Sequence, residues 1–263
     1  MTGDLFLREI DGRGVARITL NRPQVHNAFN DELIARLTIA LAELEKDDAV
    51  RLVVLAATGK SFSAGADLNW MQRMAGYSEE ENRQDAHRLA GLMNRLDRLA
   101  KPTLALVQGP AFGGGVGLVA CCDIALAAED ASFCLSEVKL GLIPAVISPY
   151  VIAAMGARAA RRFFLTAEPF PAARAAELGL VHGVVPAAEL EAYGETVIAA
   201  LLQGGPEAQA AAKELIFAVA HRPVDGAVID DTATRIARRR ASAEGREGMT
   251  AFLEKRRPAW QPD

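Results

Sequence analysis

The stretch Leu52-Val53-Val54-Leu55-Ala56-Ala57-Thr58-Gly59-Lys60-Ser61-Phe62-Ser63-Ala64-Gly65-Ala66-Asp67-Leu68 sets the fold class of this chain. Its first half, Leu52–Ala56, is an unbroken apolar run, the pattern of a buried strand, and Thr58-Gly59-Lys60 closes it. Its second half is a turn of small residues that opens into a predicted helix. The plan recurs downstream. Pro102 precedes a strand at Thr103–Val107, and Gly109–Gly115 is a glycine loop followed by the apolar helix Val116–Cys122. Asp123–Ala127 is a further strand.

Upstream, Leu5–Ile10 and Val15–Leu20 flank Asp11-Gly12-Arg13-Gly14 and read as a hairpin, ended by Asn21-Arg22-Pro23. From Asp31 to Asp47, Leu33, Ile34, Leu37, Ala40, Leu41 and Leu44 recur at helical spacing. Ser78–Leu99 is helical, with Leu89, Leu92, Met93, Leu96 and Leu99 along one side. Past Val151 the chain turns to Ala- and Arg-rich helices, with a short connection near Gly179–Val185 and a break at Gly204-Gly205-Pro206. Strands alternate with helices to about residue 130, so the class is α/β with a helical C-terminal module. The expected division is 1–200 and 201–263.

Composition narrows the function. With 263 residues and 51% apolar content the chain can bury a substantial core. A net charge of −4 lacks the basic excess of nonspecific nucleic-acid binding. The cluster Arg235, Arg238, Arg239, Arg240 and the run Lys255-Arg256-Arg257 fit a solvated helix face. The first ten residues carry acid early and no apolar h-region, and no apolar run is long enough to span a bilayer, so neither secretion nor a membrane is expected. Cys121, Cys122 and Cys134 are odd in number, two of them adjacent in an apolar run, and read as small buried hydrophobes. A cytoplasmic protein is expected.

Several chemistries fail on spacing. Gly59-Lys60-Ser61 lacks the earlier glycine of a phosphate-binding loop, because Val54 stands there. Neither Ser61 nor Ser63 sits between two glycines at ±2, as a nucleophile elbow needs. His26, His87, His182 and His221 are scattered, with no zinc-binding spacing, and no metal is expected. The two small-residue turns remain, Phe62–Leu68 and Ala111–Gly115. Without bulky side chains, backbone N–H groups can face a ligand, helped by the positive end of the helix that follows. Two such donors make an oxyanion hole without a charged side chain. Close strand–helix packing explains either turn alone; two in one chain weaken that explanation.

At these residues the chain resembles the crotonase, or enoyl-CoA hydratase/isomerase, family. Asn21-Arg22-Pro23 with Asn27-Ala28 is similar to its opening element, and Phe62–Leu68 and Gly109–Gly115 to its two glycine-bearing segments. Asp123-Ile124, then Ser136-Glu137-Val138 with Gly141-Leu142-Ile143-Pro144, then Ala176–Val181, and finally Glu244–Arg256 resemble the elements that follow in the same order. The resemblance spans roughly residues 4 to 257.

The resemblance implies a spiral of ββα units with helices at the C-terminus that assemble trimers or dimers of trimers. It implies an acyl-CoA thioester as substrate, with no separate cofactor because CoA belongs to the substrate. Ala66 and Gly114 would supply the oxyanion N–H groups. Gln24, Val25, Ala64, Asp67 and Leu68 would follow the CoA, together with Phe252 and Lys255, often from a neighbouring subunit. Phe112, Gly113, Gly117 and Leu142 would line the substrate. Trp70, Met71, Met74 and Tyr77 fit an acyl pocket or plain core, and Arg73 fits a substrate carboxylate or solvent. Glu137 matches one family carboxylate. Gly117 stands where two-carboxylate hydratases carry the other, which leaves hydration and Δ3,Δ2-isomerisation both open, with a noncatalytic acyl-CoA- or RNA-binding protein as the third reading. The runs Phe133–Glu137 and Pro144–Pro149 resemble bacterial hydratases of methylglutaconyl-CoA and carboxygeranoyl-CoA, and on that likeness hydration of a branched or carboxylated enoyl-CoA is expected.

Overall fold

A computed structural model describes residues 4–261, and its chain path is a spiral. The first turn holds β1 (Phe6–Ile10), β2 (Val15–Leu20) and α1 (Asp31–Lys46); the second holds β3 (Leu52–Ala57), α2 (Leu68–Met74) and α3 (Glu79–Asp97). The third holds β4 (Thr103–Val107), β5 (Ala111–Phe112) and α4 (Gly114–Cys121); the fourth holds β6 (Ile124–Ala128), β7 (Ser132–Cys134) and α5 (Ser148–Thr166). β8 (Phe170–Pro171), α6 (Ala172–Glu177), β9 (Gly183–Val185) and α7 (Leu190–Leu202) close the spiral, followed by α8 (Pro206–Val219), α9 (Gly226–Ala241) and α10 (Ala243–Leu253).

The main sheet has six strands in the order β1-β2-β3-β4-β6-β9. The hairpin pairs β1 and β2 antiparallel, from Phe6 opposite Leu20 to Ile10 opposite Ala16, and every later pairing is parallel. Its central strands are buried on both faces, which is why Leu52–Leu55 and Thr103–Val107 read as continuous rather than alternating runs. Ile18, Leu55, Leu33, Leu37, Leu92, Leu96 and Leu118 fill the layer under α1, α3 and α4, whereas Val54, Leu104, Leu106, Ile198 and Leu202 fill the opposite face under α7. A smaller sheet, β5-β7-β8, runs beside it. Parallel bridges extend this second layer from Ala111 to Ser63, and from Ala66 to Phe29. Successive turns of the spiral thus stack as neighbours, and the two glycine-bearing turns, distant in sequence, lie side by side.

Capping explains the helix starts. Asn30 accepts from the Leu33 amide at 2.8 Å to begin α1, and Ser78 with Glu81 forms a reciprocal capping box on α3. α4 begins at Gly114 rather than at Val116, because Gly113 ends the preceding chain at φ 50°, ψ −117°, a conformation that needs glycine. The segment near Gly179–Val185 contains β9, which pairs with β6.

The last three helices pack on one another and are tied back to the core. The Lys213 ammonium lies 2.8 Å from Asp123. Arg51 donates to the carbonyls of Gly204 and Trp260, both at 2.7 Å. The Arg98 guanidinium sits 3.6 Å over the Phe217 ring. Glu244 reaches across to accept from the Glu207 and Ala208 amides, capping α8 from the first turn of α10. All three cysteines are buried and free, and burial pushes the Cys122 thiol up to about 12. Among the described residues no helix is long and apolar enough to cross a membrane, and no group of three or more His, Cys, Asp or Glu is placed to hold a metal ion.

Candidate active site

The site grows from the segment after β2. Asn27 is fully buried at φ 54°; its side-chain oxygen accepts from the Arg22 amide, and its amide nitrogen donates to the Thr58 and Ser61 carbonyls, each at 2.8 Å. This one side chain fastens the opening element to the approach of the first glycine turn. Ser63 continues the seam, its hydroxyl donating to the Asn27 carbonyl at 2.9 Å. Phe29 then takes the Gly65 carbonyl as acceptor at 2.6 Å and receives the Asp67 amide at 2.8 Å, so its backbone brackets Ala66.

The second turn packs directly on the first. The Phe112 amide donates to the Ser63 carbonyl at 2.8 Å, and a side chain at Gly65 would meet the Phe112 carbonyl at 3.0 Å and Gly113 Cα at 3.8 Å. Gly65 and Gly113 both have positive φ, 83° and 50°, and each sits immediately before one of the two residues expected to offer an N–H, Ala66 and Gly114. No group among the described residues accepts from the Ala66 or the Gly114 N–H. Gly114 opens α4, so the positive end of that helix reinforces its donor.

Glu137 stands against the second of these turns. It begins the 3-10 turn Glu137–Leu140 after β7, and its Oε1 lies 3.0 Å from the point where a side chain at Gly113 would begin. Its Oε2 is buried and has no hydrogen-bond partner among the described residues. Burial pushes the Glu137 carboxyl above the ordinary carboxylate range. A buried, unpartnered carboxylate costs stability, and such costs concentrate at functional sites. Two free amides and one displaced proton affinity, gathered by the second sheet layer, suit proton transfer beside a carbonyl whose charge grows.

Comparisons with known proteins give the family. The sequence profile of the enoyl-CoA hydratase/isomerase family matches residues 11–263. The chain belongs to that family. A Thermus thermophilus protein named as an enoyl-CoA hydratase is 34% identical over 254 residues, covering 95% of this chain and 98% of its own. A Shewanella pealeana enoyl-CoA hydratase structure is 48% identical, with TM-score 0.95 over 98% of this chain and 97% of that one. A Legionella pneumophila structure described as an enoyl-CoA hydratase/isomerase (crotonase) is 47% identical, with TM-score 0.93 over 99% and 100% of the two chains. The spiral expected from the sequence is the crotonase fold, and the chain is an enzyme of the enoyl-CoA hydratase/isomerase family.

Other expected positions of this family member distribute unevenly around the two turns. Gln24 and Val25 form the 3-10 turn Pro23–Val25 next to Ala64, whose amide donates to the His26 carbonyl at 2.9 Å. Ala64, Ala66 and Leu68 are exposed, Leu68 at 76%. Phe112 is half-buried in β5, and Leu142, exposed, donates its amide to the Glu137 carbonyl at 3.0 Å.

Asp67, expected along the CoA, has its side chain bound into the scaffold. Its carboxylate caps α2 by accepting from the Asn69 amide at 2.9 Å and the Trp70 amide at 3.4 Å, and pairs with Arg22 at 2.8 Å while only 5% exposed. Those three partners hold the side chain to the scaffold. Gly117 is buried, and a side chain there would run into Ile147, whose Cβ is 2.9 Å away, and toward Met93 Cε at 3.2 Å. Arg73 is paired with Asp31 at 2.6 Å. Trp70 is core, Met74 packs on the core, and Met71 and Tyr77 are half-buried. Phe252 and Lys255, at and just beyond the end of α10, make no hydrogen bond or ion pair with either turn, and Phe252 is 83% exposed.

The sequence does not mark Phe29, Ile147 or Met93 as site residues. Phe29 directly follows Asn27-Ala28, so the clue was one large apolar residue beside a motif. Ile147 and Met93 are ordinary apolar residues whose convergence on α4 only the fold creates.

Proposed function

We propose that this enzyme hydrates 2-enoyl-CoA thioesters, with Ala66 and Gly114 N–H binding the thioester oxygen and Glu137 as the sole acid–base group. The buried, partnerless Oε2 of Glu137, on a carboxyl packed against Gly113, the residue before Gly114, carries this reading. In it, ionised Glu137 accepts a proton from water as the water oxygen bonds to the β-carbon. The C2–C3 π electrons shift into the thioester, and the resulting enolate oxygen is held by the two amides. Protonated Glu137 then returns the proton to the α-carbon, which regenerates the thioester and the carboxylate. One carboxylate working in sequence puts oxygen and hydrogen on the same face of the double bond. No cofactor beyond the substrate's own CoA is needed.

CoA would lie along Gln24, Val25, Ala64 and Leu68, with Leu142, Phe112 and Gly113 against the acyl end. The exposed Phe252 and Lys255 suit contact with CoA of a neighbouring subunit in a trimer or dimer of trimers, and a cytoplasmic setting fits such a substrate. Branched or distally carboxylated acyl groups are the proposed preference, on the likeness of the runs around Glu137 and Pro144–Pro149. A second reading, Δ3,Δ2-enoyl-CoA isomerisation, is favoured by one observation: Ile147 fills the space in which a second carboxylate on residue 117 would stand, and moving one proton along an acyl chain needs one base.

Purified protein assayed with crotonyl-, methylglutaconyl- and 3-enoyl-CoA separates these. Loss of the conjugated-thioester absorbance reports hydration, and its gain from the 3-enoyl substrate reports isomerisation. Glu137→Gln is expected to lower turnover at least ~100-fold. Near-parental turnover in that variant removes Glu137 from the mechanism.

A further inference from the structure

We infer that Phe29 is a positioning residue that aligns both amide donors at once; this rests on the reading of Ala66 and Gly114 as oxyanion ligands. Its main chain and its side chain act on different donors. On the Ala66 side, the Phe29 amide donates to the carbonyl just before Ala66, and its carbonyl accepts from the amide just after it, at 2.6 and 2.8 Å. Phe29 and Ala66 form a parallel bridge, so the plane of the Gly65–Ala66 peptide is set by the strand-like register of residue 29.

On the Gly114 side the ring takes over. Phe29 Cε2 and Cδ2 lie 2.8 and 3.0 Å from the point where a side chain at Gly114 would begin, closer than a real Cβ would be tolerated. The ring is 1% exposed and is a flat wall under the first residue of α4. Gly114 has no side chain of its own to fix its rotation, and the residue before it is a glycine at positive φ. The ring supplies the missing restraint by van der Waals contact. Both donors are main-chain groups, so their geometry depends on residues that hold the backbone. Phe29 touches both.

Donors that strengthen in the transition state affect turnover more than binding. Shortening Phe29 is therefore expected to act on kcat, because the CoA contacts lie elsewhere. Phe29→Ala is expected to lower kcat for crotonyl-CoA at least ~10-fold, a partial form of the loss seen when one donor is removed, while KM stays within about threefold. Phe29→Leu, which refills part of the ring's volume, should fall between the two. Raman difference spectra of crotonyl-CoA bound to Glu137→Gln protein, which holds the ligand unreacted, read the polarisation of the thioester carbonyl. The stretch should shift down on binding, and the shift should shrink when Phe29→Ala or Phe29→Leu is added. A full shift and an unchanged kcat in Phe29→Leu protein whose melt matches the parent overturn the role of Phe29 alone. No shift in Glu137→Gln protein with Phe29 intact overturns the donor reading itself, and the role of Phe29 with it.

Discussion

Glu137 carries a conflict that a single residue makes visible. Burial raises its carboxyl, so the folded chain keeps a proton that the unfolded chain has already released, between the ordinary glutamate value of about 4.3 and the raised one. Across that window stability falls as pH rises, and the loss persists above it. Glu137→Gln cannot ionise, so it is expected to melt at a higher temperature than the parent at pH 7.5, with the gap closing below about pH 4. Thermal melts of the two proteins across pH 3.5–8 check this; a Gln variant less stable at every pH contradicts it. Gly117 shows the same logic from the other side. Adding a glutamate there meets Ile147 and Met93 and buries a charge. Gly117→Glu should lose at least about 3 kcal/mol and gain no hydration, and adding Ile147→Ala should recover part of the stability, as urea titrations would report. Glu137 was legible in the sequence because it sits within a motif. The obstruction at Gly117 was not, because glycine records only that something is absent, and what fills the space comes from a residue thirty positions away.

At the scale of elements, the turn Phe62–Leu68 shows how a ligand-facing motif can serve the scaffold. Burial pushes the Asp67 carboxyl up, but the Arg22 guanidinium and the Asn69 and Trp70 amides outweigh it and hold the group below its usual value. Its contribution is therefore present above about pH 4, the unfolded value, and is lost as pH falls through the lower folded one. Asp67→Ala removes one partner of a buried pair and the cap of α2, and should cost about 3–5 kcal/mol at pH 7 and less near pH 3. Hydrogen exchange should quicken first in α2. Asp67→Asn keeps the cap acceptor and should cost less. The longer elements announce themselves: Val15–Leu20 and Thr103–Val107 have the bounds the sequence predicts, because four apolar residues within five or six positions between breakers leave little choice. The second sheet did not. Its strands Ala111–Phe112, Ser132–Cys134 and Phe170–Pro171 are too short to show a period, and they exist only because the spiral lays successive turns side by side.

Over the whole molecule, the C-terminal helices hang on a few polar ties. Lys213 is mostly buried against Asp123, which also accepts from the Thr103 amide and hydroxyl. Lys213→Met leaves Asp123 those two donors, so the expected cost is about 1–3 kcal/mol rather than that of an orphaned charge. Limited proteolysis should then cut earlier within 206–253 than in the parent, with the sheet core intact. The alternation of strands and helices to about residue 130 made the architecture readable, whereas no periodicity could forecast that Arg51 would hold the carbonyls of Gly204 and Trp260. The bare amides at Ala66 and Gly114 have one more consequence, for how this protein tolerates genetic change. A group that belongs to the peptide bond is present whatever residue is encoded, so drift at codon 66, whose side chain faces solvent, leaves the donor in place. Only proline erases it, since proline alone brings no hydrogen on its nitrogen. In a saturation library at that position, a lone inactive member among many active ones would be the signature of chemistry carried by the main chain.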